Sequence, residues 1–441
     1  MTVNSPYDST SSEFNTFVDG LLLEKLSKHR INFAELLVSL PGIYPSTVLE
    51  RLAHLASTSQ IHRDIHSRLL TESRQEPDDE HFSKSRQEHR IKLPIEHPLD
   101  YEWRFGQTAS RILLDTATRL VGLDKTMCLL GAPSILRYAL EREYSCPIIL
   151  IDKNPLLRLC FPRTSASNIF TLNVALDPLP EIHASAVIID PPWYTEYMRA
   201  FIWAGYALSG SDSYILISVP PKGTRPGVES EMDEVFRWMQ QGLGLTRLEV
   251  HEAILPYRSP LFERNALRAE GVLMVPDEWR RGDLWIFKSE NQLRKQNAKP
   301  TITDDQPSWT EAILRNMRLK LRISESSKRA FLDPSLIPLV DKDVLPSVSR
   351  RNPRRDKVDL WTSGNRIFST SGIQIVSIIV RALAAGISAH DEVSSYFNRP
   401  LDPSESSLVS TTVGQLNKLS TLESSEIDRY GEGWTNAELV L

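Results

Sequence analysis

Between residues 98 and 290, short runs rich in β-branched residues alternate with stretches of helical periodicity, and nothing else in the chain constrains the fold as tightly. The runs predict strands at 127–130, 148–152, 169–172, 186–190, 214–219, 248–254 and 284–288, with helices at 135–142, 155–160, 195–208 and 229–243. Strands that alternate with helices pair most simply in parallel, with the helices covering both faces of the sheet. The early strands are apolar throughout, as a strand covered on both sides must be. The sequence therefore predicts an α/β fold with a Rossmann-like, doubly wound, mainly parallel sheet. The last two strands have no clear helix between them and predict an antiparallel edge pair.

The flanks read differently. From Phe14 to about Leu70 the pattern is helical, with Phe17, Leu21, Leu22 and Leu26 on one face, then Phe33, Leu36, Leu37 and Leu40. A tight turn, Pro41-Gly42-Ile43-Tyr44-Pro45-Ser46, leads into a helix carrying Val48, Leu49, Leu52 and Leu55. This outline is either a helix-turn-helix, winged or not, or a helical hairpin used for packing. Polar stretches suggest linkers, and residues 1–12 suggest disorder. The expected organisation is a helical domain at 13–75, a linker at 76–97, a catalytic domain at 98–290, a linker at 291–307 and an accessory region at 308–441. In the last, residues 309–323 predict a basic amphipathic helix, 361–365 a turn between strands, 373–387 a buried helix or strand-helix, and 416–422 a helical patch.

An open parallel sheet binds ligands beyond the carboxyl ends of its strands, near the point where strand order reverses. Three places answer to that rule. After the first strand, Gly131-Ala132-Pro133-Ser134 offers a glycine that lets backbone approach a ligand; the same residues also suit a plain strand-to-helix turn capped by Ser134. Asp152 closes the second strand about 20 residues on, where a carboxylate can accept both hydrogen bonds of a ribose diol or merely cap the turn at Asn154-Pro155. The run Ala186-Val187-Ile188-Ile189 then delivers Asp190-Pro191-Pro192-Trp193-Tyr194 to the sheet edge. Here the Asp190 carboxylate and the Pro191 carbonyl can accept the hydrogens of an amino group, so that its lone pair faces an electrophile. Trp193 or Tyr194 can stack on a flat substrate or pack an alkyl chain.

In this order, the features resemble class I S-adenosylmethionine-dependent methyltransferases of the amino-methylating group, over roughly residues 100–290. The resemblance implies a cofactor side at Gly131, Ala132, Pro133, Asp152 and Asn173, with S-adenosyl-L-methionine as cofactor, and an acceptor side at Asp190, Pro191, Pro192, Trp193 and Tyr194. Ala132-Pro133 stands where the family carries further glycines. The segment Tyr101-Glu102-Trp103-Arg104-Phe105-Gly106-Gln107-Thr108-Ala109, the helical region before it and Asp190-Pro191-Pro192-Trp193-Tyr194-Thr195-Glu196 are also similar in layout to the branched-chain polyamine synthases. That family implies aminopropyl transfer from decarboxylated S-adenosylmethionine. Three functions follow: an N-methyltransferase with adenine in DNA or RNA as the preferred acceptor, an aminopropyltransferase, or a non-catalytic binding protein on the same fold.

Other features narrow the classes. A net charge of −5 gives no global attraction to nucleic acid or anionic membrane, so nucleic acid would be met locally. Candidate contacts are the N-terminal helices and the basic loop 350–357, with Arg350, Arg351, Arg354, Arg355 and Lys357, a run that is otherwise simply solvated. The loops at 220–225 and 257–265 each carry cations that suit phosphate contact or solvent. Cys128, Cys146 and Cys160 form no CxxC pair, and His62 and His66 lack a third ligand, so no metal is expected. No signal peptide or membrane-length apolar run is apparent, which predicts a cytoplasmic protein without membrane contact.

Overall fold

The computed structural model describes residues 6–28, 30–76, 89–162, 168–290, 299–302, 307–323, 330–350 and 352–430. Parts of the segments expected as linkers or disorder, and Arg351 of the basic loop, lie outside these residues. The chain forms two compact units. The first comprises Met1–Ile91, Trp103–Ser259 and Val272–Thr303; the second comprises Lys92–Glu102, Pro260–Gly271 and Asp304–Leu441. This division differs from the expected domains. The helical region joins the sheet in one unit, while residues 92–102 and 260–271 join the C-terminal unit.

The first unit is built on a sheet of β1 (Met127–Leu130), β2 (Ile148–Asp152), β3 (Ile169–Thr171), β4 (Ala184–Ile189), β5 (Ser209–Val219), β6 (Thr246–Tyr257) and β7 (Arg280–Ser289). Their order is β3-β2-β1-β4-β5-β7-β6. Strands β1 to β5 pair in parallel, whereas β7 runs antiparallel to both β5 and β6. The order reverses between β1 and β4, and this mixed sheet with one antiparallel strand slipped between β5 and β6 is the class I methyltransferase arrangement. The expected edge pair is present, but helix Leu261–Ala269 lies between its strands in sequence, where a loop was expected at 257–265.

Helix Thr195–Leu208 turns Met198, Ile202 and Ala204 into the same core as Val187, Ile189, Ile215 and Ile217. Each of the larger side chains, once buried, contributes about 1.5–3 kcal/mol. Gly205 lets this helix sit low on the sheet: a Cβ there would stand 2.4 Å from Ile189 Cδ1. Helix Gln107–Val121 buries Leu113, Leu114 and Ala117.

Helices Pro6–Lys28, Phe33–Ser39, Pro45–Ser57 and Arg63–Ser73 precede the sheet. Asn32 and Glu35 form a reciprocal capping box at the second of these. A bidentate pair between Arg51 and Asp19 ties the third to the first. No strand occurs among the described residues before β1, so the expected outline has no wing. The turn between the second and third helices lies against β7. Gly42 has φ +80°, and a Cβ there would stand 3.0 Å from Arg281 N.

The second unit carries a smaller sheet in the order β10-β12-β11-β9-β8, from β8 (Trp309–Leu314), β9 (Met317–Arg322), β10 (Ile337–Pro338), β11 (Leu360–Thr362) and β12 (Ile367–Ser369). Helices Ile373–Ala385, Ala389–Phe397 and Pro403–Tyr430 pack with it. The helix expected at 309–323 is a hairpin. Arg315 adopts φ +58° at the turn, and Met317, Leu319 and Leu321 point inward at every second residue, a strand period rather than a helical one. Arg318, one of the basic residues that suggested an exposed helical face, is buried among Asp100, Glu102 and Glu311. In the basic loop, Pro353–Lys357 is a short 3₁₀ helix whose Arg355 is buried over the rings of Trp361 and Tyr101. No described helix is long and apolar enough to cross a membrane.

Candidate active site

The carboxyl ends of β1, β2 and β4 bring Gly131, Asp152 and Asp190 to one edge of the first unit's sheet. The backbone fixes this juxtaposition: Gly131 N–H donates to Ile151 O and Asp190 N–H to Leu130 O, both at 3.0 Å. Gly131 has φ +67°, and a Cβ there would stand 3.0 Å from Asp190 O and 3.1 Å from the Phe201 ring. This position tolerates little besides glycine. Ala132 precedes helix Pro133–Glu141, with Pro133 in its first turn. Ser134 is buried, and its hydroxyl meets no hydrogen-bond partner among the described residues. A buried hydroxyl of this kind keeps its hydrogen-bonding capacity for a ligand atom or a water.

Asp152 Oδ1 accepts from Asn154 N–H at 2.8 Å. Asn173 holds its own turn, its side-chain oxygen accepting from Ala175 N–H at 3.0 Å and its backbone N–H donating to Asp177 at 2.7 Å. Asp190 is the first residue beyond β4, followed by buried Pro191. Tyr194 caps helix Thr195–Leu208 through its backbone alone. The Trp193 carbonyl accepts from Arg225 at 3.1 Å, while Arg225 pairs with Glu231. Lys222, the other cation of the 220–225 loop, pairs with Glu229. The loop thus pins the Trp193 backbone, and its charges are met by neighbouring carboxylates rather than held out for phosphate.

Sequence spacing did not suggest what holds Asp190. The Tyr257 hydroxyl, at the end of β6 and 67 residues away, donates to Asp190 Oδ1 at 2.5 Å. Ser218 Oγ lies 2.6 Å from the same phenol. Tyr257 has one proton and gives it to Asp190, so Ser218 is the donor in that second bond. Burial pushes the Asp190 carboxyl well above the usual carboxylate range and the nearby Asp152 charge adds to this; the Tyr257 hydrogen bond opposes it. Burial, followed by the Asp190 charge, pushes the Tyr257 phenol well up and keeps it protonated.

Aromatic rings pack around Tyr257. Phe105 packs on Tyr257 at 4.6 Å between centroids, and Trp193 meets Tyr257 edge-on at 5.5 Å. Gly282 makes room for them: a Cβ there would stand 2.6 Å from Ser218 Oγ and 3.5 Å from Trp193 Cζ2. Among the described residues no cluster of three or more His, Cys, Asp or Glu side chains is placed to hold a metal ion.

No family model and no curated protein matches the chain. Among solved structures it is similar to the branched-chain polyamine synthase of Thermus thermophilus, in complex with N4-aminopropylspermidine and 5′-methylthioadenosine. The identity is 13%, covering 65% of this chain and 90% of that one, with a TM-score of 0.47. It is also similar to magnesium protoporphyrin IX methyltransferase from Synechocystis (12% identity, 42% and 79% coverage, TM-score 0.29) and to the N-methyltransferase NodS from Bradyrhizobium japonicum (13%, 41% and 85%, TM-score 0.28). Likeness at this level leaves the chemistry to be read from the residues themselves.

Proposed function

We propose that this site N-alkylates an aliphatic amine with a sulfonium nucleoside as donor, and that the donor is decarboxylated S-adenosylmethionine, so that an aminopropyl group is transferred. The observation that carries the reading is the half-buried Asp190 carboxylate held by Tyr257, whose phenol is itself held by Ser218. An aliphatic amine, with a pKa near about 10, arrives at neutral pH as an ammonium and must lose a proton before it can attack. Burial makes Asp190 a stronger base than an ordinary carboxylate, which suits it to take that proton. Tyr257 fixes the orientation of the carboxylate, and Phe105 and Trp193 pack against the Tyr257 ring. The exocyclic amine of adenine is neutral at this pH and has less need of such a base.

The residues fit a nucleoside. The Gly131 cradle, the unpartnered Ser134 hydroxyl and Asp152 would hold it, Asp152 at the ribose. When bound, such a nucleoside supplies an electrophilic carbon attached to a sulfonium sulfur. Pro133 removes one N–H from the helix terminus that would otherwise receive a methionine carboxylate, which favours the decarboxylated donor.

Calorimetry with S-adenosylmethionine and its decarboxylated form, on the wild type and Asp152→Ala, tests the reading. Preference for the decarboxylated form, weakened in the variant, is the expected result. Preference for S-adenosylmethionine would promote a second reading, N-methylation of an amino group such as adenine in DNA or RNA. The half-exposed Trp193 ring favours that reading as a surface for a flat base. Nucleic acid would then be the partner, met by the N-terminal helices and residues 350–357, and binding would fall steeply with salt. Binding of neither nucleoside would leave a non-catalytic protein on this fold.

A further inference from the structure

Arg280 opens β7 directly opposite Tyr257 of β6, so the two side chains share a face of the sheet. Its guanidinium lies over three indole rings, 5.0 Å from the centroid of Trp279, 5.3 Å from Trp103 and 5.8 Å from Trp193. Trp193 belongs to the acceptor motif and leans over Gly282, two residues along the same face. The fold has therefore built a three-tryptophan cation site next to Tyr257, the residue that holds Asp190, and filled it with a side chain of its own. Aromatic cages of this composition are the usual receptors for alkylammonium groups.

We propose that Arg280 is a specificity-determining residue that closes this cage to a second ammonium, so that the acceptor is a short amine with a single positive centre near the reacting nitrogen. The inference rests on the aliphatic-amine reading of the site and narrows it. A long polyamine bound at Asp190 would bring a second ammonium towards the indoles that Arg280 occupies. It would have to displace the guanidinium or lie beside it. Two like charges about 6 Å apart in a partly buried site repel strongly enough to weaken binding roughly a hundredfold. An acceptor whose remaining end is neutral or anionic meets no such penalty.

The test titrates n-butylamine and spermidine calorimetrically into the full-length wild type, Arg280→Gln and Arg280→Lys. The glutamine variant should tighten spermidine roughly a hundredfold relative to n-butylamine, and the lysine variant should keep the wild-type preference. An unchanged spermidine-to-butylamine ratio in Arg280→Gln, or no spermidine binding to a variant whose circular dichroism is native, overturns the proposal. Nucleoside binding and transfer by the wild type are measured separately. Their absence would sink the aliphatic-amine reading, whereas the ratio of amine affinities reports on the cage alone.

Discussion

Asp283 offers a sharp test of the electrostatics of the first unit. It lies near the start of β7 opposite Val219 and is only 9% exposed. Its Oδ1 accepts at 2.7 Å from the N–H of Ala253, a residue with φ +51° where the β6–β7 register shifts. Burial, the largest influence, raises its carboxyl from 3.8 to about 6 against the opposing Ala253 hydrogen bond. A carboxyl raised by folding binds its proton more tightly in the folded chain. Between pH 4 and 6 the unfolded chain holds fewer protons, so stability falls as pH rises through that window and levels off above it. At about 1.4 kcal/mol per pH unit, the rise corresponds to a cost of about 3 kcal/mol at pH 7. Asp283→Asn keeps an acceptor for Ala253 and cannot ionise, although its amide adds donors that need partners. The variant should be more stable by about 2 kcal/mol at pH 7 and show little or no gain at pH 4. Urea denaturation of both proteins across pH 4 to 8 measures the difference. A difference that is independent of pH, or a variant less stable at pH 7, would refute the reasoning.

Three further outcomes follow from the geometry. Tyr257→Phe removes the hydrogen bond that opposes the rise of the Asp190 carboxyl, so the acidic limb of the pH–rate profile should move to higher pH; a limb left in place would separate Tyr257 from the base. Gly131→Ala combines a strained φ of +67° with a 3.0 Å approach to Asp190 O, and calorimetry should show nucleoside binding weakened by about tenfold or more. In the second unit, buried Glu423 accepts from Thr362, from Ser363 at 3.0 Å, from Gly364 N–H at 2.9 Å and from Arg366 at 3.1 Å. Glu423→Ala should lower the unfolding free energy by about 3–5 kcal/mol in urea titration, while nucleoside affinity provides the comparison for effects on the first unit.

The sheet was legible because its signal is local. The core of each parallel strand is an apolar run, and a strand ending in a carboxylate, as β2 does at Asp152 and β4 just before Asp190, announces which edge carries chemistry. Tyr257 was not legible as the partner of Asp190, since the contact spans 67 residues and depends on the antiparallel β7 lying between β5 and β6, so that β6 runs in the direction of β4 and ends at the same sheet edge. Residues 309–323 misled for a different reason. Leu314, Met317 and Leu321 can be read at helical spacing, and only the left-handed Arg315 and the inward Leu319 settle the strand period. Arg355 and Arg318 show why charge runs misread: a guanidinium can be buried on indole rings or among carboxylates, which sequence proximity does not reveal.

The N-terminal helices pack behind the aromatic residues around Arg280 and Trp193. Tyr44, in the turn before helix Pro45–Ser57, meets Trp279 edge-on at 5.9 Å, and Trp279 is one wall of the cage that Arg280 fills. Phe17 of the first helix lies where a Cβ on Gly223 would fall, within the loop whose Arg225 pins Trp193. The cage and the acceptor motif are thus each backed by a residue of the helical region, whatever else that region contacts. A helix-turn-helix outline read from sequence suggests a separate reader of nucleic acid. Packed as it is here, the turn of this outline approaches the backbone of Arg281 through a left-handed Gly42, and under the proposed function it would back the acceptor side. Changes in this region should therefore alter which amines are accepted before they alter nucleoside binding, since Gly131 and Asp152 sit at the ends of β1 and β2 and are tied into the sheet through backbone hydrogen bonds with Ile151 and Leu172.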